Sequence, residues 1–423
     1  MKRYMGNQVH ATQVHKSFSQ MVGFFLLSTL ISLVPFHSIV ASLFPYYKEV
    51  IAFGFLLLLG RQCASRGIRF RGSWETYACS ALVLFPFLLT LWSVFHRGGQ
   101  LYPDTVLVES TYQSDFSPSI YILRNAYLYL PMVLYFALRG ITVSEVRTIA
   151  IICLIIAPLS ISVFIGTSIN VDYSKLLLSD GAGLAYTTYV PYLTFSCLCA
   201  LYLITSDTPT VLKLFAIAIL TALVSFSIIS TSRQATIFIV ICGSSFGTIA
   251  SSRSLYSKLL IAAMVIIVAY TVFFLVAYNF EMSDKLFNRF TSISELIDTE
   301  RTTIAWDGLV LLEPHQYLIG AGLESVMGPD PHNDYVRWCQ RVGIITMLIG
   351  IAPFVIAAFR VPSPFCIGDH RALRLFVLLS VCMTLFYSWF GFPRESAYQS
   401  LFSFLGLAIA LGIKKTASPP PCQ

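Results

Sequence analysis

The stretch best suited to chemistry is PHNDYVRWCQRVGIIT, from Pro331 to Thr346. A helix cannot easily run through Gly328-Pro329-Asp330-Pro331, because proline lacks the N–H and glycine disfavours helix. The spacing therefore predicts a helix that starts near Asn333, a good N-cap, and continues into an apolar run. His332 then sits at the helix mouth, beside backbone N–H groups that have no intrahelical partner and favour an anion. The same positive end disfavours imidazolium, leaving the neutral ring that a general base needs. Arg337 and Arg341 are four apart and share one face of the first turns. The plainer alternative is a loop histidine that caps a turn.

Other arginines stand where membrane orientation does not explain them. Arg233, in Ser230-Thr231-Ser232-Arg233-Gln234, lies between two apolar runs with no acid beside it. Such a charge is costly unless it faces a polar cavity, and a phosphate would justify it; the alternative is an arginine that snorkels to the interface. Arg124, inside SIYILRNAYLYLPMVLYF, either pairs with an acid such as Glu109 or Asp115 or binds diphosphate. Arg301, Arg337 and Arg341 each have acids within four positions, so helix ion pairs compete with ligand binding. Arg289 and Arg394 complete the set of candidates.

Metal chemistry is poorly provided for. The ten cysteines fall mostly in or beside apolar runs, with no CxxC and no Cys/His ligand spacing, which makes them small buried hydrophobes. His315 and His332 alone are a weak ligand set. A divalent cation at the outward face would call for a pair of acids, for which the first outward loop is the place to look. Here that loop offers only Lys48-Glu49. An anionic ligand would instead be balanced by arginines, whose planar fork suits two phosphate oxygens. No metal and no cofactor are expected.

These residues must be carried by a membrane scaffold. Of 423 residues, 56% are apolar and only 12% charged, with a mean hydropathy of +0.73. A soluble domain has about 25% charged residues, so a soluble globular enzyme, a disordered chain and a disulfide-stapled module are excluded. Runs of about 17–25 apolar residues give twelve candidate spans: 20–44, 47–61, 74–95, 119–138, 148–168, 184–205, 213–230, 235–250, 259–278, 337–359, 373–391 and 397–413. The first is too long for a signal-peptide core and lacks a small-residue cleavage site. The expected fold is an all-α polytopic membrane protein forming one integral domain over 1–423.

Counting basic residues in alternate loops orients it. One side takes 17 of the 28 lysines and arginines; the other takes every acid except Glu75, Glu145, Asp207 and Asp369. Both termini are thus expected in the cytoplasm. The net charge of +7 is a topology signal, and a nucleic-acid partner is not expected.

Most outward polar chain lies in one loop, 279–336. SDKLFNRFTSISELID from Ser283 predicts an amphipathic helix on the membrane surface. A second helix is expected across Glu300 to Glu313, stopped by Pro314. Gly320 and Gly322 then supply a turn. No internal repeat or matched pair of broken helices is visible, which counts against a secondary transporter.

His332-Asn333, nine residues, Gly343, two residues and Thr346 resemble the HN-x9-GxxT motif of O-antigen ligases. The wider family includes O-antigen polymerases and some protein O-oligosaccharyltransferases. Arg301, Trp306 and IGAG at Ile319–Gly322 extend the resemblance, as does Ser232-Arg233; about a quarter of the chain carries specific motifs. The resemblance implies a glycosyltransferase at the periplasmic face of a bacterial inner membrane. Its donor would be a polyprenyl-diphosphate-linked glycan, and the acceptor a sugar hydroxyl of lipid A-core. The outward histidine and arginines would be the functional residues, with His332 as base and Arg233, helped by Arg124 and loop arginines, on the diphosphate.

The nearest rival is an O-antigen or exopolysaccharide repeat-unit polymerase with the same chemistry. Polymerases of the best-known type show arginine followed by glycine eleven positions later in two outward loops, and no outward arginine here has that spacing. A flippase or exporter of lipid-linked glycan is the rival of another class. It should concentrate charge at mid-membrane, whereas here charge gathers in the outward loop and at outward span ends.

Overall fold

The computed structural model describes residues 18–34, 36, 40, 43–67, 73–96, 124, 127–168, 180–229, 233–247, 307, 309–310, 312–322, 334–361, 369–390 and 397–413. Among them the chain is almost wholly helical, with no strand beyond an isolated bridge between Ile141 and Ile413. The helices are α1 Phe18–Ser32, then α2 Tyr47–Arg66, α3 Ser73–His96, α4 Leu130–Arg139, α5 Val143–Ser168, α6 Asp180–Thr205, α7 Thr210–Ile229, α8 Arg233–Ser245, α9 Pro314–Ile319, α10 Asp334–Arg360, α11 Asp369–Phe390 and α12 Ala397–Gly412.

Most apolar segments of the sequence that the structure describes coincide with a helix, and two depart from it. In the run 20–44 the first helix ends at Ser32, three residues before Pro35, which has no N–H to donate to a helix bond; Val40 and Leu43 are helical again. The run 119–138 is broken inside: α4 starts at Leu130 with proline in its first turn, the place where a missing N–H costs nothing. The run 259–278 lies outside the described residues.

Among the described residues, four helices are long and apolar enough to cross a membrane: Ser73–Leu91, Val143–Ser160, Thr210–Ser227 and Tyr335–Arg360. Burial supports the same conclusion. Only 22% of the residues in Thr210–Ser227 are buried, and Val211, Leu214, Phe215 and Ile217 are exposed. An apolar helix with so many large side chains bare is stable in hydrocarbon and not in water. The protein is a polytopic, membrane-embedded helical bundle.

At its centre α6 is the opposite case. Every residue from Pro191 to Ala200 is buried, because α5, α7, α8, α11 and α12 surround it. Phe195 meets Phe376 at 5.7 Å and Phe402 at 5.4 Å, and Tyr202 meets Phe376 at 5.1 Å. These rings lock α6, α11 and α12 together, with each pair contributing about 1 kcal/mol beyond area burial. The described cysteines are all free thiols, buried or half-buried.

Hydrogen bonds fix which helix ends lie together. The Tyr135 hydroxyl donates to the Ser19 carbonyl at 2.9 Å, and the Ile141 N–H to the Gly412 carbonyl at 2.6 Å. The start of α1 and the ends of α4 and α12 therefore share one end of the bundle. Buried Arg139 closes that end, ion-paired to Glu145 and stacked over Tyr135 and Phe136. At the opposite end Tyr127 donates to the Pro86 carbonyl at 3.1 Å, and Tyr335 to the Leu385 carbonyl at 2.6 Å.

Candidate functional site

The Arg124 end of the bundle gathers four of the arginines singled out in the sequence. Arg337 and Arg341 lie in the first turns of α10, both buried. Beside them Trp338 packs edge-on against Phe85 of α3, ring centres 5.6 Å apart, in a small cluster with Leu89 and Val342. Tyr127, three residues after Arg124, bonds the same helix α3 through Pro86 and Thr90. Tyr335, two residues before Arg337, bonds Leu385 of α11. The next two residues of α11, Phe386 and Tyr387, stack on Phe238 of α8 at 5.2 and 5.9 Å. Arg233 is the first residue of α8. The starts of α8 and α10 thus flank the last turns of α11, and α3 joins α10 to Arg124.

Arg124 has an acidic partner, and it is neither of those weighed from the sequence. Its guanidinium pairs with Glu49, in the first turn of α2, while Glu109 and Asp115 lie outside the described residues. Next to the pair, buried Lys48 stands over the Tyr47 ring at 5.6 Å. The residues Lys48 and Glu49 that looked too few for a metal loop are a charge cluster. Neither Arg124 side chain nor acid is deeply buried (37% and 33% exposed), so the pair is worth at most about 1 kcal/mol.

The segment before α10 departs from expectation in a useful way. The described residues Asp307, Leu309 and Val310 are helical and the chain leaves that helix by Leu312; Pro314 then opens α9. Glu313 is the N-cap and shares a capping box with Gln316, whose side chain accepts the Glu313 N–H at 2.9 Å. Proline at the first helical position wastes no donor and is pre-set in φ. The helix ends at Gly320, with φ 80°.

Just beyond, α9 docks on a break in α10. Gly343 has φ 76° and ψ 167°, so the helix expected to run unbroken into the tenth span is two helical pieces. A break of this kind leaves carbonyls of the preceding turn without their i+4 donors. Ala321 N–H donates to the Gln340 carbonyl at 2.7 Å and Gly322 N–H to the Arg341 carbonyl at 3.0 Å. Contact is backbone on backbone. A Cβ on Gly343 would stand 2.1 Å from the Leu318 oxygen, and one on Gly320 would stand 2.4 Å from the Arg341 carbonyl. Two glycines of the motifs IGAG and GxxT are thereby explained by one junction.

Two polar residues in the same turns escaped the sequence reading. The Trp338 indole N–H and the Gln340 amide nitrogen are buried with no hydrogen-bond partner among the described residues. The available signal was the spacing of Arg337, Gln340 and Arg341, which puts three polar groups on one face at the mouth of an apolar span. His332, Asn333, Arg289, Arg301 and Arg394 lie outside the described residues, as does the amphipathic segment from Ser283; α10 is described from Asp334, next to Asn333. No cluster of three metal-ligating side chains occurs among the described residues. His315 lies 3.4 Å from Glu313, both exposed.

Set against known proteins, the chain matches no family model and no curated sequence.

Proposed function

We propose that this protein is a glycosyltransferase of the O-antigen-ligase type. It would move a glycan from a polyprenyl diphosphate onto a sugar hydroxyl of lipid A-core, at the periplasmic face of a bacterial inner membrane. The observation that carries the reading is the junction of Gly320–Gly322 with Gly343. Two motifs that resemble the family, 21 residues apart at Gly322 and Gly343, meet there through backbone hydrogen bonds. Arg341 lends its carbonyl to the junction, Arg337 lies about a turn before it, and Arg233 opens α8, which packs on α11 as α10 does.

The chemistry is an in-line displacement at the anomeric carbon. The acceptor oxygen bonds to that carbon as the bond to the diphosphate oxygen breaks, and configuration inverts. His332 takes the acceptor hydroxyl's proton. Arg233 stabilises charge gathering on the departing diphosphate, with Arg337 and Arg341 adding positive potential. Arg124, paired with Glu49, acts through packing in this scheme. Twelve spans, with both termini cytoplasmic, bring all these groups to the outward face.

The test in cells is the glycan profile of a deletion strain. Loss of a ligase leaves polymerised glycan on its carrier lipid and bare lipid A-core. Single repeats attached to the acceptor would instead identify a polymerase, and unaltered glycans would overturn the proposal.

A further inference from the structure

Helix α9 is inside out for part of a water-facing loop. Its polar residue Gln316 is 2% exposed, whereas Leu318 is 54% exposed and Val310, just before it, 73%. Tyr317 and Ile319 are exposed as well. The Tyr317 hydroxyl donates to the Leu309 carbonyl at 2.6 Å, which ties the segment around Val310 to the helix. Water would penalise such a surface, since each bare Leu or Ile forgoes about 1.5–3 kcal/mol of burial.

The patch has a visible continuation. Leu318 and Ile319 touch Gly343 by their backbones, and the next open residues of α10 are Ile344, Ile345 and Leu348. Those belong to the stretch Tyr335–Arg360, the most apolar candidate span, whose outer surface must face hydrocarbon. The exposed residues of α9 adjoin that surface at Gly343. At the other end of α9 the pattern reverses: Glu313 and His315 are the exposed groups.

We propose that α9 is a membrane-inserted foot. Acyl chains of the adjoining leaflet cover Val310, Tyr317, Leu318 and Ile319, while Glu313 and His315 stand at headgroup level. Six residues at about 1.5 Å each span roughly 9 Å, enough for a helix tilted to the surface to set one end among acyl chains and the other at headgroup level. The Gly320–Gly322 clip then fixes the first turns of α10 relative to the lipid surface. The occupant is bilayer lipid, because the patch merges with a face that lipid already covers. It stands independently of the proposed transferase activity.

The experiment uses the full-length protein in vesicles of phosphatidylethanolamine and phosphatidylglycerol. Photoreactive p-benzoylphenylalanine replaces Leu318, Tyr317, His315 or Ile344 in turn, and lipid adducts are counted by mass spectrometry after irradiation. Tyr317 is the near-isosteric position and guards against a misfolded Leu318 variant. Adducts at 318 and 317 should match those at Ile344 and exceed those at His315 by about fivefold, given the drop in acyl-chain density toward the headgroups. Adducts at the His315 level, or cross-links to a second copy of the chain, would overturn the proposal.

Discussion

Replacing Gly343 by alanine should open the junction that holds α9 to α10. At φ 76° and ψ 167° an L-residue sits in a region that is nearly reserved for glycine, at a cost of about 1–3 kcal/mol. The new methyl would also meet the Leu318 carbonyl oxygen at 2.1 Å, and a backbone atom has no rotamer to turn away. The cheapest relief is separation of the Leu318–Gly322 segment, which loses the bonds from Ala321 and Gly322, about 1 kcal/mol each. Those bonds are lost on opening in either protein, so the strain and the clash set the difference: the closed junction weakens by about 2–3 kcal/mol, or roughly thirtyfold to a hundred-and-fiftyfold in its opening equilibrium. Hydrogen exchange of peptides covering 318–322, followed by mass spectrometry in detergent, reads this directly. The Gly343→Ala variant should exchange there about a hundredfold faster than wild type. Gly60→Ala is the control, since nothing lies within 4 Å of that position, and its exchange should be unchanged. Because Gly320→Ala strikes the same contact, the double variant should be no worse than either single one. Unaltered protection in Gly343→Ala would refute the account of the junction.

Arg233→Ala should lower donor turnover per folded molecule by about a hundredfold, the usual cost of removing one stabiliser of transition-state charge. Arg233→Lys should recover only part, since the ammonium lacks the fork; equal rates in all three proteins would remove Arg233 from the site. Glu49→Ala and Arg124→Ala should each leave turnover within a few-fold of wild type and lower thermal stability slightly. Their double variant should be no less stable than either, and a large rate loss in Arg124→Ala alone would return it to the diphosphate. Transfer should persist in excess EDTA, and loss restored by magnesium or manganese would contradict an arginine-balanced diphosphate.

The scaffold was legible because lipid imposes a simple rule: apolar runs become helices whose backbone satisfies itself. Segments 47–61, 213–230 and 373–391 recur as α2, α7 and α11, often longer than the run because polar end residues stay helical. Proline was harder. Pro131 and Pro314 were read as span interior and stop signal, yet both sit in first turns, where the same ring that breaks a helix starts one. Gly343 was read as a motif letter in a continuous helix. Its conformation is dictated by a partner 21–25 residues earlier, which periodicity along one helix cannot reveal. The Arg124–Glu49 pair was hidden for the same reason, its members being 75 residues apart. By contrast the crowding of Arg337 and Arg341 at one helix mouth was visible, since four-residue spacing alone puts them on one face.

The most direct test of the transferase reading is transfer by the purified full-length protein. It would be reconstituted with a polyprenyl-diphosphate-linked glycan and lipid A-core, and the glycosylated acceptor measured. Wild type should form product and release polyprenyl diphosphate in equal amounts. His332→Ala, inserted and folded at normal levels, should form none above background. No product from the wild-type protein, or near-normal transfer by His332→Ala, would contradict the account.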